Sequence, residues 1–273
     1  MSIITMGSRI AAIGGGAPTV NSRQRGVPML NAPVPSSFIY YWDDFFSNAV
    51  GLAATSPEWV GTDLVGTSAF TNGNSSVSAA GQIRVTTGTT SGDGGVLEIN
   101  GTVNQGNPIY VPSASDNLSF VLAVGMSIGV NFTTSLNAFG LVANTFARGT
   151  DIITDPDTTF AAADALIIHR NTSAYSGDGA GELVLRGYTA GGTATSLVIT
   201  ATWPGSSNKI EIYRPAGSTD VTVYFNGTLV GTMAWNIAAG ISSRPVFGAI
   251  TGTNAFRQTF IDYIYAEWGA PAR

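Results

Sequence analysis

The sequence predicts an all-β protein: an antiparallel β-sandwich or barrel preceded by an extended N-terminal arm. Three observations predict it. From Phe38 onward, apolar runs of strand length alternate with Gly, Ser, Thr and Asn punctuation. No long segment carries apolar residues at i, i+3, i+4 and i+7, the spacing of an amphipathic helix. Texture and charge also change abruptly near residue 38, which divides the chain into an arm, 1–37, and a sandwich domain, 38–273.

The arm holds three arginines (Arg9, Arg23, Arg25), a Gly14-Gly15-Gly16 run and four prolines, and no acidic residue; the first in the chain is Asp43. Its side-chain charge is therefore +3. The whole chain has 12 basic and 17 acidic residues, so the remaining 236 residues carry 9 and 17, a net −8. Such a Gly/Pro-rich segment cannot build its own core. It suits a docking arm that orders on a partner. Arg9, Arg23 and Arg25 would meet carboxylates there, and Ile3, Ile4, Ile10, Ile13, Met29 and Leu30 would bury along it.

The strands follow in order: QIRVTTG, GVLEING, LSFVLAVGMSIGVNF, AFGLVANTF, ALIIHRN, ELVLRGY, SLVITATW, KIEIYRP, VTVYFNGTLVGTM, PVFGAI and FIDYIYAEW. They are rich in Val, Ile, Thr, Tyr and Phe, which fit a pleated, half-buried surface. Many short strands at near-regular spacing indicate a sandwich or barrel. TTFAAADALI is the best helix candidate, for one or two turns. Asn226-Gly227 is the preferred pair for a type I′ hairpin turn. That turn sets Phe225 opposite Thr228 and Val223 opposite Val230, with Val221, Val223, Phe225 and Val230 facing the core. Strict alternation in FIDYIYAEW puts Ile261, Tyr263 and Tyr265 on one side, and Phe260, Ile264, Ala266 and Trp268 on the other. Both sides are apolar, so the second is either covered or an exposed aromatic surface.

Composition narrows the function. Charged residues make up only 11% of the chain, against roughly 25% in an average globular domain. A weakly charged surface is best tolerated when much of it is covered in an assembly. The chain has no cysteine, hence no thiol chemistry or Cys-based metal site. No apolar run approaches the ~20 residues of a membrane span, and the N-terminus does not read as a signal peptide. A net-acidic body argues against a nucleic-acid partner.

Catalytic motifs are weak. Gly125-Met126-Ser127-Ile128-Gly129 matches the G-x-S-x-G nucleophile elbow, with Asp164 and His169 following in order. The elbow needs a strained strand-to-helix turn, yet this one sits inside a strand-like run. A glycosidase needs two carboxylates at a set separation, and KIEIYR and FIDYIYAEW offer isolated acids only. Asp151, Asp155, Asp157 and Asp178 could give oxygens to calcium, but they sit in ordinary turn chemistry. No catalytic residue, cofactor or metal is expected. Trp42, Trp59, Trp203, Trp235 and Trp268 are scattered, so no local sugar-stacking cluster is evident. Tyr224, Tyr263 and Tyr265 are the candidate interface or sugar-stacking aromatics.

The order of Trp42-Asp43-Asp44-Phe45, DALIIHRN, KIEIYR, the VTVYFNGTLVGTM hairpin and a closing IDYIYAEW resembles the concanavalin A-like (laminin-G-like) jelly rolls of tailed-bacteriophage structural proteins, over residues 38–273. The resemblance implies two antiparallel sheets packed face to face, often assembled as trimers on virions, and brings no catalytic residues. With the arm, it leads to the expectation of a non-enzymatic virion protein, a capsid decoration (cement) or head-fibre subunit. Such a protein would be made in the host cytoplasm and located on the capsid surface. Its partners would be the major capsid protein or neighbouring virion subunits, and it would be a homo-oligomer. The alternative is a carbohydrate-binding module of a phage tail fibre that recognises host glycans.

Overall fold

A computed structural model of the chain describes residues 9–12, 38–43, 50–51, 59–72, 82–99, 109–128, 135–143, 145–153, 156–170, 182–192, 194–201, 208–252 and 258–269. In chain order the strands are β1 (Arg9–Ala12), β2 (Phe38–Asp43), β3 (Val50–Gly51), β4 (Trp59–Val65), β5 (Ser68–Asn72) and β6 (Ile83–Thr87). Next come β7 (Gly94–Ile99), β8 (Ile109–Val111), β9 (Ser119–Ile128), β10 (Ser135–Ala143), β11 (Ala165–Arg170) and β12 (Leu183–Tyr188). The last six are β13 (Thr195–Thr200), β14 (Asn208–Arg214), β15 (Asp220–Phe225), β16 (Thr228–Ala234), β17 (Ile241–Thr251) and β18 (Gln258–Gly269).

They form two nine-stranded sheets. Sheet A runs β1-β2-β18-β9-β14-β15-β16, with β6 pairing β18 and β5 pairing β6. Sheet B runs β13-β12-β11-β10-β17-β7-β4-β3, with β8 pairing β17. Of the described ladders only β3–β4 is parallel. On the edge away from β9, the long β18 serves two partners, β6 along its first half and β2 along its second.

Alternation builds the central core. Phe120, Leu122 and Val124 of β9 and Ile264, Ala266 and Trp268 of β18 face Phe139 and Leu141 of β10 and Phe247 of β17. Trp59 packs on Phe247 with ring centroids 5.3 Å apart. At one end Thr259 of sheet A donates to Asn137 Oδ1 of sheet B, so a polar contact bridges the layers where the apolar filling ends.

The outer face of sheet B carries a second core. The β10–β11 connection lies across it, burying Phe146, Ile152, Ile153 and Phe160 against Val142, Ile167 and Val246. Phe160 stacks between Phe146 and Tyr188, at 4.9 Å from each ring. Gly248 makes room for this strap, since a Cβ there would lie 2.7 Å from Ile153 Cδ1. Polar groups fix the strap's path. Arg244 Nε donates to Glu98 Oε2 at 2.8 Å, and its Nη2 donates to the Phe146 carbonyl at 3.0 Å. The other carboxylate oxygen of Glu98 accepts the Gly149 N–H at 2.7 Å. Arg244 and Glu98 are both buried, so each is the other's main compensation for leaving water.

Three local expectations change. The helix is α1 (Pro156–Thr159), a single turn that ends before the Ala-rich run; Phe160–Ala162 is turn and Ala165 already begins β11. Phe160 belongs to the strap's apolar core, and that packing decides the local path over helix propensity. Asn226 and Gly227 both have positive φ (50° and 81°), as a type I′ turn requires, and Phe225 pairs with Thr228. A bulge between Val223 and Tyr224 then moves Val223 opposite Gly231, not Val230. In β18 a second bulge at Asp262 resets the alternation. Ile261 joins the central core with Ile264 and Ala266, while Tyr263 and Tyr265 face outward.

In the arm, Arg9–Ala12 pair with β2 as β1, which places Arg9 and Ile10 at the edge of sheet A. Ile3, Ile4, Ile13, Arg23, Arg25, Met29 and Leu30 lie outside the described residues.

Candidate functional site

The outer face of sheet A gathers tyrosines and carboxylates from distant parts of the chain. One row in register runs Trp42, Tyr265, Ala123, Glu211, Tyr224. The next runs Tyr40, Glu267, Val121, Tyr213, Thr222. Beyond them Tyr263, Gly125 and Lys209 align. Tyr263 lies over Gly125, where a Cβ would come within 2.5 Å of its ring.

Burial divides the face. Tyr263 and Tyr265 are 6% and 1% exposed, so neither offers a ring face for a sugar to stack on. Tyr213 and Tyr224 are half-buried, sit diagonally on β14 and β15, and have Lys209 and Glu211 beside them. Asn226 holds these strands in place: its Oδ1 accepts the Lys209 N–H and its Nδ2 donates to Asn208 Oδ1, each at 2.8 Å.

The two carboxylates are desolvated. Burial pushes the pKa of Glu211 up, against the pull of Lys209 Nζ at 3.7 Å. Burial likewise pushes Lys209 down, so desolvation outweighs this one ion pair. Glu211 Oε1 has no hydrogen-bond partner. Burial also raises Glu267, partly countered by the Tyr265 hydroxyl, which donates to its Oε2. Tyr263 is raised by burial first, then by the nearby charges of Glu211 and Asp262.

The other candidate chemistry does not assemble. Ser127 lies inside β9, paired with Phe260, and not on a strand-to-helix turn. His169 belongs to sheet B, where its Nε2 accepts from Arg186 Nε at 2.7 Å. Asp164 instead receives the Ala190 N–H. Asp151 closes an Asx turn by accepting the Ile153 N–H at 2.7 Å. Asp157 lies in α1, and Asp155 and Asp178 fall outside the described residues. Among the described residues no three His, Cys, Asp or Glu side chains come together as a metal site. Trp59, Trp235 and Trp268 are core residues, Trp42 lies in β2, and Trp203 is outside the described residues.

Sequence reasoning missed Tyr213, Lys209, Glu211 and Glu267. The usable signal was alternation within KIEIYR and IYAEW, which puts Lys209, Glu211 and Tyr213 on one side and Tyr265 and Glu267 on one side. The joining of the two strands through β9 is non-local.

No protein-family model matches the sequence, and no curated protein matches it either. Solved structures do match in fold. The sandwich is a concanavalin A-like jelly roll. Basic winged bean lectin with Tn-antigen aligns at a TM-score of 0.54 and 13% identity, covering 86% of this chain and all of the lectin (100%). Peanut lectin with a 9-mer peptide gives 0.52 and 12%, covering 85% and 97%. The carbohydrate recognition domain of Emp46p, in its potassium-bound form, gives 0.51 and 11%, covering 82% and 97%.

Glu211 and Glu267 bind protons more tightly folded than unfolded, so their contribution to stability is present at low pH. It is lost as pH rises from the ordinary Glu value of 4.5 through their raised folded values. Urea unfolding from pH 4 to 7 should show this fall, and Glu267→Gln should flatten it. An unchanged slope in the variant would mean that Glu267 is not desolvated.

Proposed function

We propose that this chain is a non-catalytic carbohydrate-binding protein whose glycan site is the Tyr213–Tyr224 patch on the outer face of sheet A. The observation that carries the reading is that pair of half-buried rings on neighbouring strands, flanked by the half-buried Lys209, whose ammonium lies 3.7 Å from the buried Glu211 carboxylate. Ring faces bind the apolar face of a sugar, and flanking polar groups fix its hydroxyls. Likeness of fold to two lectins and a carbohydrate recognition domain supports the same reading.

A glycan array should return binders. Tyr224→Ala, a substitution at a half-exposed strand position, should weaken them at least ~10-fold, about 1.4 kcal/mol. A silent array, or binding unchanged by Tyr224→Ala, would overturn the proposal.

The arm supports a second reading, compatible with the first. A segment carrying +3 and no acid ahead of a body carrying −8 suits docking on an acidic protein surface. The protein would then be a virion subunit of capsid decoration, head-fibre or tail-fibre type, attached to the capsid shell or a neighbouring subunit. Replacing Arg23 and Arg25 by Glu, outside β1, should abolish incorporation into particles without changing the melting temperature. Normal incorporation would remove this reading.

A further inference from the structure

Arg214 ends β14, in phase with Ile210 and Ile212 of the central core, and pairs in register with Phe120. It therefore points between the sheets and is 1% exposed. Its Nε, Nη1 and Nη2 have no hydrogen-bond partner, although a guanidinium carries five N–H donors. Trp235 lies against it, with Cζ 5.6 Å from the ring centroid, but the indole N–H is committed to the Tyr188 carbonyl at 2.9 Å.

Asp116 lies within electrostatic reach and favours the charged guanidinium, yet makes no hydrogen bond to it. Its Oδ2 already accepts from the Tyr110 hydroxyl (3.0 Å), the Ser113 N–H (2.6 Å) and the Ser113 hydroxyl (2.9 Å). Burial lowers the Arg214 pKa to about 10, so the group is still a cation at neutral pH. A buried cation whose donors all lack acceptors is among the costliest arrangements in a protein.

We propose that Arg214 anchors an internal anion site holding one small monovalent anion of halide type. An anion accepts several N–H bonds at once and brings the charge that water lacks. With the guanidinium 1% exposed between the sheets, its surroundings suit only a small guest. Arg214 points between the sheets whereas Tyr213 and Tyr224 belong to the outer face of sheet A, so the site is separate from the proposed glycan patch.

Bromide is the probe. Crystals of the full chain grown in sodium bromide should show an anomalous peak beside the Arg214 guanidinium. At constant ionic strength, replacing methanesulfonate by bromide should raise the melting temperature by about 2–4 °C. Arg214→Met should lose that rise. Asp116→Asn, which keeps the cation and removes the competing carboxylate, should enlarge it, and this variant decides if Arg214→Met does not fold. No bromine peak at Arg214, a melting temperature indifferent to bromide in the wild type and Asp116→Asn, or a full response in Arg214→Met would overturn the proposal.

Discussion

The buried pair Glu98–Arg244 is the contact on which the rest of the architecture leans. The sandwich fills its central layer by simple alternation, but sheet B has apolar residues on both faces. Its outer face must be covered, and the β10–β11 strap covers it. The strap has little regular structure of its own, so its backbone groups need partners. Glu98 and Arg244 supply them, binding Gly149 and the Phe146 carbonyl while neutralising each other. Isolated, either charge would be costly in that place.

Sheet A meets a related demand differently. A bulge at Asp262 shifts the face on which β18 places its aromatics. Ile261 goes to the core, and Tyr263 and Tyr265 join Val121 and Ala123 outside. The face is graded, from buried tyrosines and carboxylates on β18 to the half-exposed Tyr213 and Tyr224 on β14 and β15. The proposed glycan site sits at the graded end, where the rings are half-exposed and their strands are held by Asn226.

Much of the fold was legible because strand alternation is local. KIEIYR, VTVYFNGTLVGTM and ALIIHRN read as strands and are strands, and Asn226-Gly227 reads as the turn it forms. The misses were set by single extra residues and by long-range packing. The bulges at Val223/Tyr224 and Asp262 leave no mark that propensity can read: the first shifts the β16 partner by one residue while Val221, Val223 and Phe225 keep facing the core, and the second reverses the facing of the β18 residues before it. TTFAAADALI reads as one or two helical turns because Phe160 looks ordinary until Phe146 and Tyr188 close on it. Of the site, Tyr224 was visible, but its neighbours Tyr213 and Glu211 gained meaning only once β14 lay beside β15. Arg214 was also in phase with Ile210 and Ile212, a signal easily discounted because arginine at a core position is rare.

Hydrogen exchange across residues 145–164, in wild type and Glu98→Gln, tests the central claim most directly. The account predicts that Glu98→Gln costs about 3–5 kcal/mol. It also predicts that protection falls first in the strap, around Phe146 and Gly149, while β9, β14 and β18 stay protected under native conditions. Unchanged strap protection, or loss spread evenly over both sheets, would contradict the view that this pair holds the second core in place.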